Sequence, residues 1–340
     1  MHKSFISNNE KSLKIIADIG LTCGGDLKRS LELIDIAGNL GVDAVKFQMI
    51  NAEELLGDKN VTYTYPTLFD GDVTENMYEM FLRLEFTDDD WVLIKERCDS
   101  NSLDLIVTAH VESAVDRLNK LNLSSNKICT WSLNHYRMIR SLAKNGKPLI
   151  IDTGTINLEQ LIDLEKFYKK NGGGDLIVLF DFHTKNKTEI NFLAIKKLIS
   201  LGFHVGYTPQ GREDWLDYMA IGLGTTIIEK RLTLSRGIKE NGHWKALEPD
   251  EFKEWQKNIT ECFSALGDEH LKATSQDIED SKKYYKSAWL LKDVYEGESI
   301  LESDFEFKRP GIGVGSDKIL KEYCNLKYKR AYKKGEMFEG

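Results

Sequence analysis

The sequence has no basic surplus. Its 46 lysines and arginines are outnumbered by 54 aspartates and glutamates, giving a formal net charge of −8. It therefore lacks the positive footprint of a nucleic-acid binder. No apolar run approaches the roughly 18 residues that a membrane-spanning helix needs. The first residues, MHKSFISNNEKSLK, lack the apolar core of an export signal. Cysteine is scarce: Cys23, Cys98, Cys129, Cys262 and Cys324 are odd in number, scattered, and form no CxxC pair. That argues against a disulfide framework or a thiolate zinc site and fits a reducing cytoplasm. What is present is a chain of 340 residues, 41% hydrophobic and 29% charged. This suits a globular protein with one large domain, or one large and one small.

Short apolar runs rich in Val and Ile recur between helical patterns. They are LKIIADIG (13–20), DAVKFQ (43–48), DLIVTA (104–109), KICT (127–130), PLIIDTG (148–154), DLIVLFD (175–181), FHVGYTP (203–209) and TTIIEK (225–230). Unbroken apolar runs suit parallel strands covered on both faces. Leu27, Leu31, Ile34 and Ala37 share a helical face, with Gly41 as its C-cap; Phe252, Trp255, Ile259 and Phe263 share another. Eight strand–helix units predict an α/β fold, a (β/α)8 TIM barrel over residues 1–266. A doubly wound open sheet is the second choice. Residues 51–74 read as a loop on the active face. A polar helical linker (267–286) and a small β-rich domain (287–340) follow.

Barrels of this kind place their chemistry at the C-terminal strand ends. Read in order, those ends offer Asp18; Lys46 and Gln48; Thr108 and His110; Lys127 and Thr130; Asp152 and Thr153; Asp181; Tyr207, Thr208 and Gln210; and Glu229, Lys230 and Arg231. Lys46 and Lys127 are embedded in apolar strands, so each needs an anion. With the hydroxyls of Thr108, Thr130 and Thr208 they make a cup for a small polyanion, such as a phosphate-bearing carboxylate. Internal ion pairs to Asp18, Asp152 or Glu229 fit equally, and a Schiff-base lysine is a third use. Cys129, beside the cup, reads as a small core hydrophobe rather than a nucleophile.

These residues resemble the sialic acid synthases, a family that includes the legionaminic and pseudaminic acid synthases. IIADIGLTCGGDL is similar to their IIAEIGxNHNGDL, and GVDAVKFQ to GADAVKFQ. KICT resembles KIxS, GKPLIIDTG resembles GKPxILSTG, VGYTPQG resembles VGYSDHT, and IIEKRLT resembles IIEKHFT. LEPDEF falls at the family's place. In the tail, KSAWLLKDVYEGESILESDFEFKRPGIGVG looks like their antifreeze-like (SAF) domain with its RPGxG. The resemblance implies a TIM barrel followed by an SAF domain, in a domain-swapped homodimer. It implies a transferase that condenses phosphoenolpyruvate with an N-acetylated amino sugar to a sialic-type (nonulosonic) acid for surface glycans, releasing phosphate. By the same matching, Lys46, Thr108, Lys127, Thr130 and Thr208 contact phosphoenolpyruvate, and Gln48 and Tyr207 are pocket positions. Arg309, from the RPG motif, reaches the partner's site to grip the sugar.

The departures fall on the chemistry. The family implies a divalent cation, Mn2+ or Mg2+, held by two histidines, but those positions carry Gln210 and Arg231. Glutamine is a poor transition-metal ligand and arginine is not one. The family's first-strand Glu is Asp18, the Ser of its LSTG is Asp152, and the Asp of its DH pair is Gly242, although His243 remains. Two readings follow. In one, the enzyme works with no metal ligand set, with Arg231 polarising the sugar's carbonyl oxygen beside Asp18 and Glu229, and Asp152 pairing with Arg231 or Lys127. In the other, the chain is an altered or inactive paralogue that binds a sugar or phosphorylated ligand, and its charges satisfy one another. A third arrangement, metal held by Asp181, His183 and His243, lacks any supporting spacing.

Overall fold

The structure, a computed structural model, describes residues 12–340. Most of the N-terminal stretch examined for an export signal lies outside those residues. The chain divides into two compact units, Met1–Gly267 and Asp268–Gly340.

In chain order the strands of the first unit are β1 (Lys14–Asp18), β2 (Ala44–Met49), β3 (Thr62–Pro66), β4 (Asp72–Asn76) and β5 (Asp104–Ala109). Then come β6 (Asn126–Ile128), β7 (Leu149–Asp152), β8 (Leu176–Phe180), β9 (His204–Tyr207) and β10 (Ile227–Arg231). Eight of them close a barrel in the order β1-β2-β5-β6-β7-β8-β9-β10, with β1 pairing in parallel with both β2 and β10. These are the eight apolar runs of the sequence, and the closed barrel replaces the open sheet as an alternative.

Strand alternation decides which side chains meet. Ile16, Ala44, Ile106, Ile150, Ile177, Leu179 and Ile227 form one cluster that fills the barrel. Their neighbours Ala17, Val45, Val107, Ile151, Val178 and Ile228 belong to the larger core shared with the helices. The interior is tight: a Cβ at Gly206 would lie 2.5 Å from the Leu179 side chain and 2.8 Å from that of Ile227. Outside, helix Leu27–Leu40 is capped by Asp26, which accepts from the Arg29 amide, and ends at Gly41 with φ 71°. Its left-handed conformation is why glycine stands there. Helix Pro249–Ala265 buries Phe252, Trp255 and Ile259.

The segment read as a loop is ordered differently. Helix Ala52–Leu55 leads into an antiparallel hairpin of β3 and β4. Its strands, TYTYP and DVTEN, are mostly exposed. DVTEN has a single apolar residue and only Tyr65 of TYTYP is buried, so the two share no apolar face that would mark a hairpin in the sequence.

The second unit has its own apolar core, made of Ala288, Leu290, Val294, Ile300, Phe305, Tyr328, Tyr332, Phe338 and their neighbours. Strands β11 (Ser287–Leu290) and β12 (Phe305–Lys308) pair antiparallel within it. The stretch read as a linker contains helix Ser275–Tyr284. Among the described residues, no helix is long and apolar enough to cross a membrane.

Candidate active site

A cavity of about 530 Å3 opens where β1, β2, β5, β7 and β10 end. Its floor and sides carry Asp18, Lys46, Gln48, Thr108, Thr130, Asp152, Asp181, Thr208, Gln210, Glu229 and Arg231. Its upper wall is apolar: Leu55, Leu56, Tyr63, Met77, Met80 and Phe81 come from the long excursion between β2 and β5. Parallel register brings the polar set together, since Asp18 faces Lys46 on one side and Arg231 on the other.

The floor is an ion-pair lattice. Lys46 Nζ lies 2.7 Å from Asp18 Oδ1 and 3.4 Å from Glu229 Oε1. Lys127 Nζ donates to Glu229 Oε2 at 2.5 Å and sits 3.1 Å from Asp152 Oδ1. Arg231 donates to Asp18 Oδ2 from Nε at 3.0 Å and from Nη2 at 2.9 Å. Both lysines are nearly inaccessible, so the carboxylates are what allow them to stay charged. Burial opposes ionisation of Asp18, but Lys46 and Arg231 outweigh it and hold the carboxyl well below its ordinary value. Burial likewise opposes the Lys127 charge, yet Asp152 and Glu229 raise it above the ordinary lysine value. A lysine held so firmly as ammonium is not a Schiff-base nucleophile, which removes that use of Lys127.

Asp152 goes the other way. Burial, then the nearby Glu229 and Asp181 charges, push its carboxyl up to about 7 against the pull of Lys127. Thr108 Oγ1, buried at the cavity wall, has no hydrogen-bond partner among the described residues. An unpaired buried hydroxyl beside two lysines suits a ligand oxygen. His110 Nε2 is also unpartnered among them, and burial, with Lys46 nearby, pulls that imidazole down to about 4, so it is neutral. The Cys129 thiol is pushed up by burial and sits 3.9 Å from His110 Nδ1, in keeping with an inert side chain.

A second polar group crosses the opposite side. Asp181 accepts from Gln210 Nε2 at 2.6 Å and from Thr130 Oγ1 at 3.0 Å. Gln210 Oε1 in turn accepts from Lys245 Nζ at 3.2 Å. Lys245 was not anticipated: it follows the barrel strands in the HWK turn, where no strand-end rule points to it. Burial, then repulsion from Arg231, pulls its ammonium down to about 7.

The donors do not fit a divalent metal. Both ends of the Gln210 amide are engaged, Arg231 is bound to Asp18, and an ammonium occupies the remaining approach. Among the described residues, no three of His, Cys, Asp and Glu come together in a way that could hold a metal ion. The Asp181, His183 and His243 arrangement fails for a concrete reason. His183 Nε2 is 3.6 Å from Asp181, but His243 is buried elsewhere, its Nδ1 2.7 Å from Thr233 Oγ1 and its Nε2 3.5 Å from Glu240.

Several expected residues point away. Tyr207 lies outside the cavity lining: as the outward residue of β9 it packs between Phe182 and Phe192. His243 is likewise a structural residue rather than a cavity wall. Lys230 alternates outward from Glu229 and Arg231, reaching Asp217 Oδ2 at 2.7 Å and lying over the Trp255 ring. Lys127 contacts the cavity only through Asp152 and Glu229. Arg309, in the second unit, is exposed and donates from Nε to the Tyr284 carbonyl at 2.9 Å.

A closed parallel barrel with lysines and carboxylates gathered at its C-terminal mouth has its polar groups where barrel enzymes carry their active sites. The chain belongs to the NeuB family, whose model matches residues 33–271. It is 28% identical to the N,N'-diacetyllegionaminic acid synthase of Campylobacter jejuni, over 96% of this chain and 99% of that one. It is 27% identical to the enzyme of the same name from Legionella pneumophila, over 90% and 87%. Among solved structures it resembles the N-acetylneuraminic acid (sialic acid) synthetase of Leptospira borgpetersenii, with TM-score 0.69 and 24% identity. That match covers 79% of this chain and 90% of that one.

Proposed function

We propose that the chain condenses phosphoenolpyruvate with the open-chain aldehyde of an N-acetylated amino sugar, giving a nonulosonic acid and phosphate. The observation that carries the reading is Lys46 on the cavity wall, backed by Lys127 behind Glu229, beside the unpartnered Thr108 hydroxyl. The synthase names of the family relatives support it. The enol carbon of phosphoenolpyruvate attacks the aldehyde carbon, whose π pair moves to oxygen. Water's oxygen then bonds to C2 of the former enol, the C2–O bond to phosphate breaks, and water's two hydrogens end on the new hydroxyl and on the released phosphate, leaving the keto acid. Lys46, Thr108 and Thr130 hold the phosphorylated carboxylate, and Lys127 supports them from behind Asp152 and Glu229. Thr208 and Gln48 line the same cavity. Asp152, with its carboxyl pushed up to about 7, repels the phosphorylated carboxylate less than an ordinary aspartate would. The apolar wall of Leu55, Tyr63, Met77 and Phe81 excludes water from the forming bond.

We also infer that residues 287–340 are an SAF domain of a domain-swapped homodimer. Arg309 is exposed and held by Nε to the Tyr284 carbonyl, and in this reading its guanidinium meets a partner's sugar. The test is phosphate release from phosphoenolpyruvate with a panel of N-acetylated hexosamines, alongside direct phosphoenolpyruvate binding. Sugar-dependent release supports the enzyme. Weak binding and no release with any sugar sinks it.

One observation favours a second reading. Every cation on the cavity floor already has a carboxylate partner, so the lattice is self-satisfied without ligand. In that reading the chain is an altered paralogue that binds a sugar or phosphorylated ligand. Tight phosphoenolpyruvate binding with no phosphate release separates it from the first.

A further inference from the structure

We propose that Arg231, with Lys245 bonded to Gln210 beside it, fills the cavity mouth where the family implies a divalent metal, so that this chain takes up no divalent ion there. What the pair does to substrate rests on the condensation reading; whether it excludes metal does not.

Four observations converge. First, Gln210 Oε1, the one amide atom able to ligate, accepts from Lys245 Nζ, while Nε2 is bound to Asp181. A metal there would sit against an ammonium. Second, both Asp18 oxygens are taken, Oδ1 by Lys46 and the Gly20 amide, Oδ2 by Arg231. Third, the backbone is shaped around the guanidinium. Gly242 has φ 92°, and a Cβ on it would lie 3.2 Å from Arg231 Nη1 and 3.3 Å from Leu21 Cβ. The family's acidic residue at this turn would be strained in conformation and would press on the guanidinium. Fourth, the permanent guanidinium of Arg231 and the Lys46 ammonium both sit on Asp18, so a dication at that carboxylate would face two cations at close range.

The same geometry assigns the pair a task. As the carbon–carbon bond forms, the aldehyde oxygen gains negative charge, and fixed N–H donors stabilise it without reorganising. Arginine keeps its proton throughout, so Arg231 acts by hydrogen bonding and charge alone.

The test uses full-length protein. Metal content is measured by mass spectrometry after purification, and Mn2+ binding by the resonance signal of free Mn2+ after chelating resin. The expected result is below about 0.1 metal per chain and no Mn2+ site tighter than about 1 mM. Gln210→His with Arg231→His should gain a Mn2+ site at least about tenfold tighter, and adding Lys245→Ala should tighten it about tenfold again as a cation leaves. A wild-type Mn2+ site of micromolar affinity, lost in Gln210→Ala or Asp181→Asn, overturns the proposal. So does a Lys245→Ala change that leaves Mn2+ affinity in the double variant untouched. If the double variant does not fold, the wild-type titration decides alone. Failure of every sugar to release phosphate would overturn the condensation reading and leave the metal result standing. Where phosphate is released, the rate should be unaffected by EDTA, and abolition by EDTA with rescue by Mn2+ also overturns the proposal.

Discussion

Lys127 and Glu229 meet at 2.5 Å across the barrel interior, from strands that are not neighbours. Glu229 also faces Lys46, so one carboxylate holds two lysines whose stems cross apolar strands. A phosphorylated carboxylate entering the cavity meets Lys46 directly and reaches Lys127 only where Asp152 or Glu229 yields. Lys127→Met keeps the stem and removes the charge. Loss of a charge-assisted contact of about 1.5–3 kcal/mol predicts phosphoenolpyruvate affinity about 10–150-fold weaker. Titration calorimetry measures it; unchanged affinity removes Lys127 from the anion cup.

Asp152 makes that competition depend on pH. Its carboxyl, pushed up to about 7 by burial, faces Lys127 and the space for ligand. An arriving anion favours the protonated form, so binding takes up a proton. Phosphoenolpyruvate affinity should fall as pH rises from 6.5 to 8.5, by up to about tenfold per pH unit above 7. Asp152→Ser removes the repulsion and should bind more tightly at pH 8.5, with a flatter profile. A wild-type profile as flat as that of the serine variant rules the coupling out.

The two buried aspartates act on stability with opposite sign. The Asp18 carboxyl is depressed below its ordinary 3.8, so the unfolded chain binds more protons; the stability it contributes is present above about pH 4 and lost on acidification below that. The Asp152 carboxyl is raised, so the folded chain binds more protons between 3.8 and about 7; stability falls as pH rises through that window. Asp152→Asn should therefore flatten urea midpoints between pH 4 and 7, where the wild type declines by a few kcal/mol, of the order its shift allows. A wild-type midpoint that rises over that interval contradicts the assignment.

Much of this site could be read from strand ends, because inward positions alternate: Asp18, Lys46, Thr108, Asp152, Glu229 and Arg231 all follow that rule. The same rule, applied one residue out of step, misplaces Tyr207 and Lys230. A strand only four or five residues long does not reveal its own phase. Lys245 and the β3–β4 hairpin were missed for different reasons. Lys245 lies in a turn after the last strand, and its role comes from a contact with Gln210, 35 residues away. The hairpin buries little, so no apolar periodicity marks it.

Lys230 illustrates the difference that phase makes. It pairs with Asp217, which also accepts from Trp255 Nε1 at 2.8 Å, in a site sealed from solvent. Lys230→Ala leaves a buried carboxylate without its cation and should cost about 3–5 kcal/mol. Its neighbours Glu229 and Arg231 face the cavity, whereas Lys230 does not. Phosphoenolpyruvate affinity of the folded variant at low temperature should stay within about twofold of wild type. Chemical denaturation and calorimetry together check this; a large affinity loss with intact stability would place Lys230 in the site after all.

Trp131, at the cavity rim, is 69% exposed and directly follows Thr130 in the turn after β6. Its ring centroid lies 4.8 Å from that of His183, tilted by 44°, so the indole is steadied from one side with its surface still open. An exposed tryptophan gains little from burial, yet it offers a broad apolar face at the edge of a polar cavity. Sugar C–H faces pack on such surfaces, whereas the phosphate and carboxylate of phosphoenolpyruvate are held deeper, by lysines. Trp131→Ala should therefore raise the KM for the sugar about tenfold, the upper end of an aromatic contact worth about 0.5–1.5 kcal/mol, with phosphoenolpyruvate affinity within about twofold. Stability should move by no more than about 0.5 kcal/mol, as for other exposed positions. Steady-state kinetics with the sugar varied at saturating phosphoenolpyruvate reads the split. Equal changes for both substrates would mean that the indole shapes the mouth as a whole. An unchanged KM for the sugar would move the sugar platform to the Tyr63 and Met77 wall, where Tyr63→Ala is the corresponding test.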